Sequence, residues 1–441
     1  MDIGDKVRIK TKDIFYEGTL MPNETENIVL KLDNGYNIGI DPKKIISKEV
    51  ITKSNKESSN KEKLKSEKTI QSINSNKALP KILILHTGGT IASKVDYKTG
   101  AVIPRFEPEE IISMFPELRD IANIESELIC NILSENLSFN HIEKFAQTIL
   151  EKIKKEKDLK GIILTHGTDV MTYTSSALGF ILQGINIPII MVGAQRSSDR
   201  GSSDAAMNLI CAAEFIKKTD FKGVAICMHE TSEDKNCIIL NCYKTRKMHS
   251  SRRDAFRPIN TKPIAKVDFK TKQIEFVQKN QYKNINEFNP QINLEKSVGI
   301  IKAYPNMNPK LFDAFSGYKG LIVEGTALGH APIMDVDEYS KDNKKVKESI
   351  RILIDSETLV FMTSQSIYGS VQMHVYSCGV ELTNMGVSPA RMLTETAYIK
   401  LAWLLGNYWK SKKDNTRIIE LMQTNIDGEI FDRIEEDTYL I

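Results

Sequence analysis

The sequence predicts an α/β protein: a doubly wound parallel sheet, a second and smaller α/β unit after it, and a small β-barrel ahead of both. Three observations predict this. From residue 80 onward, short apolar runs bounded by Gly alternate with helical patterns, which is how parallel strands joined by right-handed crossovers read. Residues 1–50 hold only short strand-like runs divided by tight-turn residues. Between these regions, residues 51–79 are dense in Ser, Asn, Lys and Glu and cannot bury enough surface to offset the entropy of ordering.

In residues 1–50, the stretches 6–10, 15–21, 28–32 and 36–40 read as strands, and Val7-Arg8-Ile9 alternates clearly. Asp33-Asn34-Gly35 lies between two of them, and Asn and Gly tolerate the positive φ that a tight hairpin needs. Four or five such strands predict a small SH3-like barrel, either an interaction module or a packing appendage. Residues 51–79 form the linker. Residues 80–290 form the larger α/β domain, with strands expected at 82–85, 129–133, 162–165, 188–192 and 223–228. Its clearest helix is 139–155, where Ile142, Phe145, Ala146, Ile149 and Ile153 recur on one face. A second covers 203–217. Residues 291–441 form the smaller α/β domain and tail, with strands at 298–301, 321–324 and 360–363 and a helix at 392–405. The charged stretch 410–441 is expected as a peripheral helix and tail.

Composition narrows the function. The 441 residues are 41% hydrophobic, enough for substantial cores, and 60 Lys and Arg against 57 Asp and Glu leave only +3, which does not advertise nucleic acid across the chain. Residues 1–10 lack the apolar segment of a signal peptide, and no apolar run reaches the ~18 residues of a membrane span. Six cysteines without CxxC spacing, several inside apolar runs, read as reduced core thiols. The expectation is a soluble, cytoplasmic protein without membrane contact.

Two stretches carry chemistry. The first is Leu83-Ile84-Leu85-His86-Thr87-Gly88-Gly89-Thr90-Ile91-Ala92, an apolar run that ends on two glycines and a hydroxyl. The second, Gly161-Ile162-Ile163-Leu164-Thr165-His166-Gly167-Thr168-Asp169, repeats the layout and adds a carboxylate. Ligands of open α/β sheets bind past the carboxyl ends of strands, so two strand ends each offering a Thr suggest one site. Each alone also reads as a tight strand-to-helix turn. Further polar patches are Ser134-Glu135-Asn136, Gly193-Ala194-Gln195-Arg196 and the Lys247 region. His86 and His166 read as loop-ordering groups. No HExxH or Cys/His spacing points to a metal. Ser364, Ser366 and Tyr368 read as loop residues, with lining of the site as the alternative. Arg252-Arg253 reads equally as an anion site or a solvated pair. Gly325-Thr326-Ala327-Leu328-Gly329 is only weakly like a nucleotide turn.

Taken together, the two glycine–threonine stretches resemble the paired signature of L-asparaginases and their glutaminase relatives. The resemblance spans roughly residues 80–410 and implies an asparaginase-like fold for both α/β units. It assigns catalytic roles to Thr90, Thr168, Asp169 and Lys247, the last of which spacing alone does not single out. It implies that Ser134, Glu135 and Asp169 hold the amino-acid end of the substrate and that Tyr97 belongs to a flexible lid. The family has Gln where this chain has Glu135, a departure that adds negative charge suited to an α-ammonium.

The barrel, the linker, Ser134-Glu135-Asn136 and the run from Lys247 to Phe256 resemble more narrowly the D-subunit branch of archaeal glutamyl-tRNA(Gln) amidotransferases. That resemblance implies release of ammonia from glutamine. It also implies a GatE-type partner subunit that activates Glu-tRNA(Gln) with ATP and Mg²⁺, and a homodimer of the asparaginase-like body within an α2β2 assembly. No cofactor is expected in this chain, which lacks a GxxxxGK[ST] phosphate loop. A stand-alone asparaginase or glutaminase and an inactive RNA-tethering adaptor are the two other readings.

Overall fold

The computed structural model describes residues 4–12, 14–21, 27–32, 37–53, 78–89, 93–95, 102–104, 115–196, 202–278 and 287–439. The N-terminal unit has five strands: β1 (Lys6–Thr11), β2 (Phe15–Leu20), β3 (Ile28–Leu32), β4 (Asn37–Ile40) and β5 (Ile45–Thr52). They form one antiparallel sheet in the order β4-β3-β2-β1-β5 around Val7, Ile9, Leu30 and Ile40. In β1, Val7 and Ile9 are buried while Arg8 and Lys10 face solvent, the alternation expected of a half-buried strand. The Asp33-Asn34-Gly35 turn lies outside the described residues, but β3 and β4 on either side of it pair antiparallel.

The larger α/β unit opens with β6 (Lys81–Gly88), then the hairpin β7 (Ser93–Val95) and β8 (Val102–Pro104) and the short helix α1 (Leu118–Ile121). β9 (Asn123–Ile132), α2 (Phe139–Lys155), β10 (Leu159–Thr165), α3 (Met171–Ile181), β11 (Pro188–Val192), α4 (Ala205–Lys218) and β12 (Gly223–His229) follow. Strands β9, β6, β10, β11 and β12 are parallel, and the near-continuous apolar runs of β6, β10, β11 and β12 follow from helices covering both faces.

Two expectations need correction. The sheet is mixed rather than purely parallel. It has eight strands, because β13 (Asn236–Asn241), β16 (Ala265–Asp268) and β17 (Ile274–Phe276) extend it antiparallel beyond β12. And β9 starts six residues before the expected 129: as the edge strand it tolerates Glu125 and Glu127, which disguise it in the sequence. Helix α2 matches its expected bounds. Helix α3 was not anticipated, for a physical reason. Ten of its eleven residues are buried, so no polar face creates a helical period.

Between β13 and β16 lies a separate hairpin, β14 (Thr245–Lys247) and β15 (Phe256–Pro258). The smaller unit holds β18 (Val298–Lys302), β19 (Gly320–Gly325), α5 (Asn343–Asp355), β20 (Leu359–Ser364), α6 (Ser377–Asn384) and β21 (Ser388–Pro389), the four strands forming a parallel sheet. Helices α7 (Thr394–Tyr408) and α8 (Asn415–Gln423) close the chain. The two α/β units share one apolar core that includes Leu83, Phe180, Val298, Ile322 and Trp403, with Phe180 and Trp403 stacked at 5.5 Å.

The C-terminal stretch is less peripheral than its charge suggests. Ile418 and Met422 reach the main core, and Glu429 pairs with Lys400 at 2.5 Å with both side chains fully buried. All six cysteines are free thiols, four of them buried. Among the described residues, no helix is long and apolar enough to cross a membrane.

Candidate active site

The site forms where β6, β9, β10 and β11 end. Gly89, in the left-handed region at φ +79°, presses so closely on the next strand end that a Cβ there would lie 2.5 Å from Gly167 Cα. Gly167 in turn leaves no room for a Cβ, which would meet Ser134 Oγ at 2.7 Å. The two glycine-rich motifs and the Ser134 turn are therefore in direct contact. Gly89 N–H also donates to Ile132 O at 3.1 Å, which fixes the first motif against β9.

Thr168 and Asp169 immediately precede α3. Thr168 is 7% exposed. Lys247 reaches them from β14 across a sequence separation of 79 residues: its Nζ donates to Thr168 Oγ1 at 2.9 Å and to Asp169 Oδ1 at 2.8 Å. The lysine side chain is 14% exposed, whereas that of Asp169 is 60% exposed. The hydroxyl and the amine are thus sheltered and the carboxylate is open to an incoming ligand. Ser134 Oγ accepts from Asp169 N–H at 3.3 Å. Glu135 is adjacent and exposed, with no partner among the described residues. Thr90 and Tyr97 lie outside the described residues.

A hydroxyl, an amine and a carboxylate in a chain of contacts can move a proton to and from a reacting group. A threonine hydroxyl needs such help to act near neutral pH.

Several residues that hold this arrangement were not legible beforehand. Ser175 and Ser176 on α3 donate to Cys242 O at 2.8 and 3.0 Å, and Thr396 donates to Tyr243 O at 2.7 Å, so the chain leading into β14 is tied to α3 and α7. Hydroxyl residues within an otherwise apolar helix were the available signal. Beyond Lys247, Asp254 receives Arg252 through two bonds of 2.8 Å and Arg257 at 2.9 Å. Arg253 pairs with Asp234 at 2.5 Å. Arg252 is solvated, with its side chain 55% exposed, and Arg253 is more sheltered; both guanidiniums are paired, so neither is left as an empty anion site. The 325–329 loop is a turn closed by Thr326 and His330, with Ser364 Oγ donating to Ala327 O, rather than a phosphate cradle.

The two motif histidines order the strand ends. His86 bridges Thr165 Oγ1 at 2.9 Å and Ser126 Oγ at 2.6 Å, and His166 Nδ1 donates to Gly167 O at 2.6 Å. Burial pushes both down to about 4, so both are neutral in the fold. In the unfolded chain each returns to about 6.5. Between these values the unfolded state binds more protons. The stability they carry is therefore complete above pH ~6.5 and is lost as pH falls towards ~4, by up to about 3 kcal/mol for each histidine. Urea midpoints should accordingly drop between pH 7 and pH 4.5, and less so in His86→Gln. A midpoint drop as large in His86→Gln as in the parent would remove His86 from this account.

Residues 81–282 match the family model "Asparaginase, N-terminal", residues 297–420 match "Glutaminase/Asparaginase C-terminal domain", and residues 1–51 match "GatD N-terminal domain". The chain is 44% identical to the D subunit of the glutamyl-tRNA(Gln) amidotransferase of Methanococcus maripaludis strain C6, covering 98% of this chain and 99% of that one. It is 41% identical to the D subunit of the same name from Pyrococcus furiosus, covering 100% and 98%. Among solved structures, the thermostable L-asparaginase from Thermococcus kodakarensis superposes with a TM-score of 0.69 at 29% identity, covering 79% of this chain and 99% of that one. The uncovered fifth is close to the share of the chain taken up by the N-terminal unit and linker.

Proposed function

The chain belongs to the family of glutamyl-tRNA(Gln) amidotransferase D subunits, and from that premise we propose that it is the glutaminase component of a tRNA-dependent amidotransferase. The observation that carries the chemistry is Lys247 Nζ held between Thr168 and Asp169. In this reading Thr90 supplies the hydroxyl that adds to the side-chain carbonyl of glutamine. Thr168 and Lys247, with Asp169, pass its proton towards the nitrogen. The C–N bond breaks, ammonia leaves, and water cleaves the resulting ester to release glutamate. Ser134, Glu135 and Asp169 hold the amino-acid end, the exposed carboxylates of Glu135 and Asp169 facing its ammonium, and Tyr97 closes over it.

Ammonia then passes to a GatE-type partner subunit, where Glu-tRNA(Gln) is activated with ATP and Mg²⁺. This chain itself carries no cofactor. Two asparaginase-like bodies form the homodimer at the centre of the assembly. The N-terminal unit supports this reading over a stand-alone asparaginase, because it adds nothing that amide hydrolysis requires.

The test is ammonium rescue. The complex carrying Thr90→Ala is expected to lose amidation of Glu-tRNA(Gln) with glutamine and to keep it with ammonium, since only the nitrogen source is removed. If ammonium fails while the partner stays bound and folded, Thr90 serves the second step as well. If no partner binds and the chain alone hydrolyses asparagine rapidly, the stand-alone reading replaces this one.

A further inference from the structure

A cavity lies away from the strand ends that carry Thr168. It occupies about 420 Å³ where β12 begins, between the 241–244 turn and the loop after α8. That volume is within the range of small-molecule sites. Three cationic side chains line it, Lys222, Lys244 and Arg433, with two anionic ones, Asp427 and Asp432.

Lys244 and Asp427 make no direct ion pair among the described residues, although Glu429 and Asp432 lie near enough to Lys244 to favour its charge. The Lys244 ammonium makes no hydrogen bond or ion pair among the described residues, and its nearest specific contact is the face of the Phe431 ring at 5.4 Å. Burial lowers its pKa. Asp427 is exposed along the cavity and also crowded by protein. Its carboxylate accepts from Tyr243 Oη at 2.8 Å, meets no cation among the described residues, and is pushed up to about 6 by burial. Opposite charges in one partly desolvated cavity gain by pairing, yet these two are held apart. The restraint is visible in the backbone. Glu429, itself paired with Lys400, accepts from Ile426 N–H at 3.0 Å and Asp427 N–H at 2.8 Å, so the Asp427 loop is fixed on a fully buried ion pair. Lys244 is fixed by its own turn, with its N–H donating to Asn241 Oδ1 at 3.1 Å.

We propose that this cavity binds a free dicarboxylic α-amino acid, with the ligand ammonium on Asp427, one carboxylate on Lys244, and the second towards Lys222 and Arg433. A zwitterion supplies a direct contact to both held-apart charges, and the one-cation excess of the lining selects a net negative ligand. The 241–244 turn leads directly into β14, so an occupant touches the segment that carries Lys247. The proposal does not depend on the catalytic reading, because it concerns binding alone.

The test is calorimetric titration of the full chain with L-glutamate, glutarate and 4-aminobutyrate. L-glutamate is expected to show a binding component that Lys244→Met and Asp427→Asn each weaken by about tenfold or more, as expected for loss of a charged contact. Glutarate lacks the ammonium and 4-aminobutyrate the α-carboxylate, so both should be weaker by a similar factor. Glutamine hydrolysis by the two variants, measured before product builds up, should match the parent. Parent-like glutamate isotherms in both variants would overturn the proposal, as would glutarate binding at this site as tightly as glutamate. Circular dichroism checks folding, and should Asp427→Asn not fold, Lys244→Met decides alone.

Discussion

Replacing Lys247 with Met is expected to lower glutamine hydrolysis by about 10³-fold or more while leaving the fold intact, and Thr168→Ala is expected to be equally damaging. Lys247 Nζ is the only described group that touches both the Thr168 hydroxyl and the Asp169 carboxylate. Removing it leaves the Thr168 hydroxyl with no basic partner among the described residues. Because the two residues act as one relay, the double variant should be scarcely slower than either single one. Lys247→Arg should also fail, since a guanidinium stays protonated and its planar fork cannot take the place of a compact amine between two oxygens. Rates for the four variants, measured as glutamate release with far-ultraviolet dichroism as the folding control, check this directly. If the two single losses multiply in the double variant, Thr168 and Lys247 act independently and the relay is wrong.

The largest stability effect is expected from Glu429→Ala, a loss of about 3–5 kcal/mol. Glu429 compensates the buried Lys400 ammonium and also accepts the Ile426 and Asp427 amides. Truncating it strands a buried charge and two donors at once. Lys400 would keep only Met422 O and Thr424 O, which are dipoles rather than a counter-charge. The combined Lys400→Met, Glu429→Leu variant should recover part of the loss, because an apolar pair strands no charge. Urea denaturation of the parent and the two variants measures this. A Glu429→Ala stability within about 0.5 kcal/mol of the parent would mean the pair is not buried in solution.

Much of the fold was legible because burial on one face leaves a period in the sequence. α2 shows this most plainly: Ile142, Phe145, Ala146 and Ile149 are buried and the lysines of its last turn are not. The central strands were legible from their unbroken apolar runs. Where burial is complete or the strand lies at an edge, that signal disappears. α3 has no polar face, and β9 carries carboxylates along its length. The antiparallel extension through β16 and β17 rests on short segments whose pairing is set by neighbours far along the chain.

The candidate site divides along the same line. By itself the sequence determined the two glycine–threonine strand ends and the adjacency of Thr168 and Asp169, because these are local: a few covalently linked residues whose turn needs Gly. It also carried the family resemblance that pointed to Lys247. Only the tertiary structure decided that Lys247 lies at hydrogen-bond distance from Thr168, that Arg252 and Arg253 are spent on Asp254 and Asp234, and that a charged tail contributes a buried ion pair to the core. The reason is physical. A periodic pattern records which face of an element avoids water, but it holds no information on which distant side chain fills the space opposite. That is settled when α3, α7 and the β14–β15 hairpin pack together and their hydroxyls, carbonyls and charges must each find a partner.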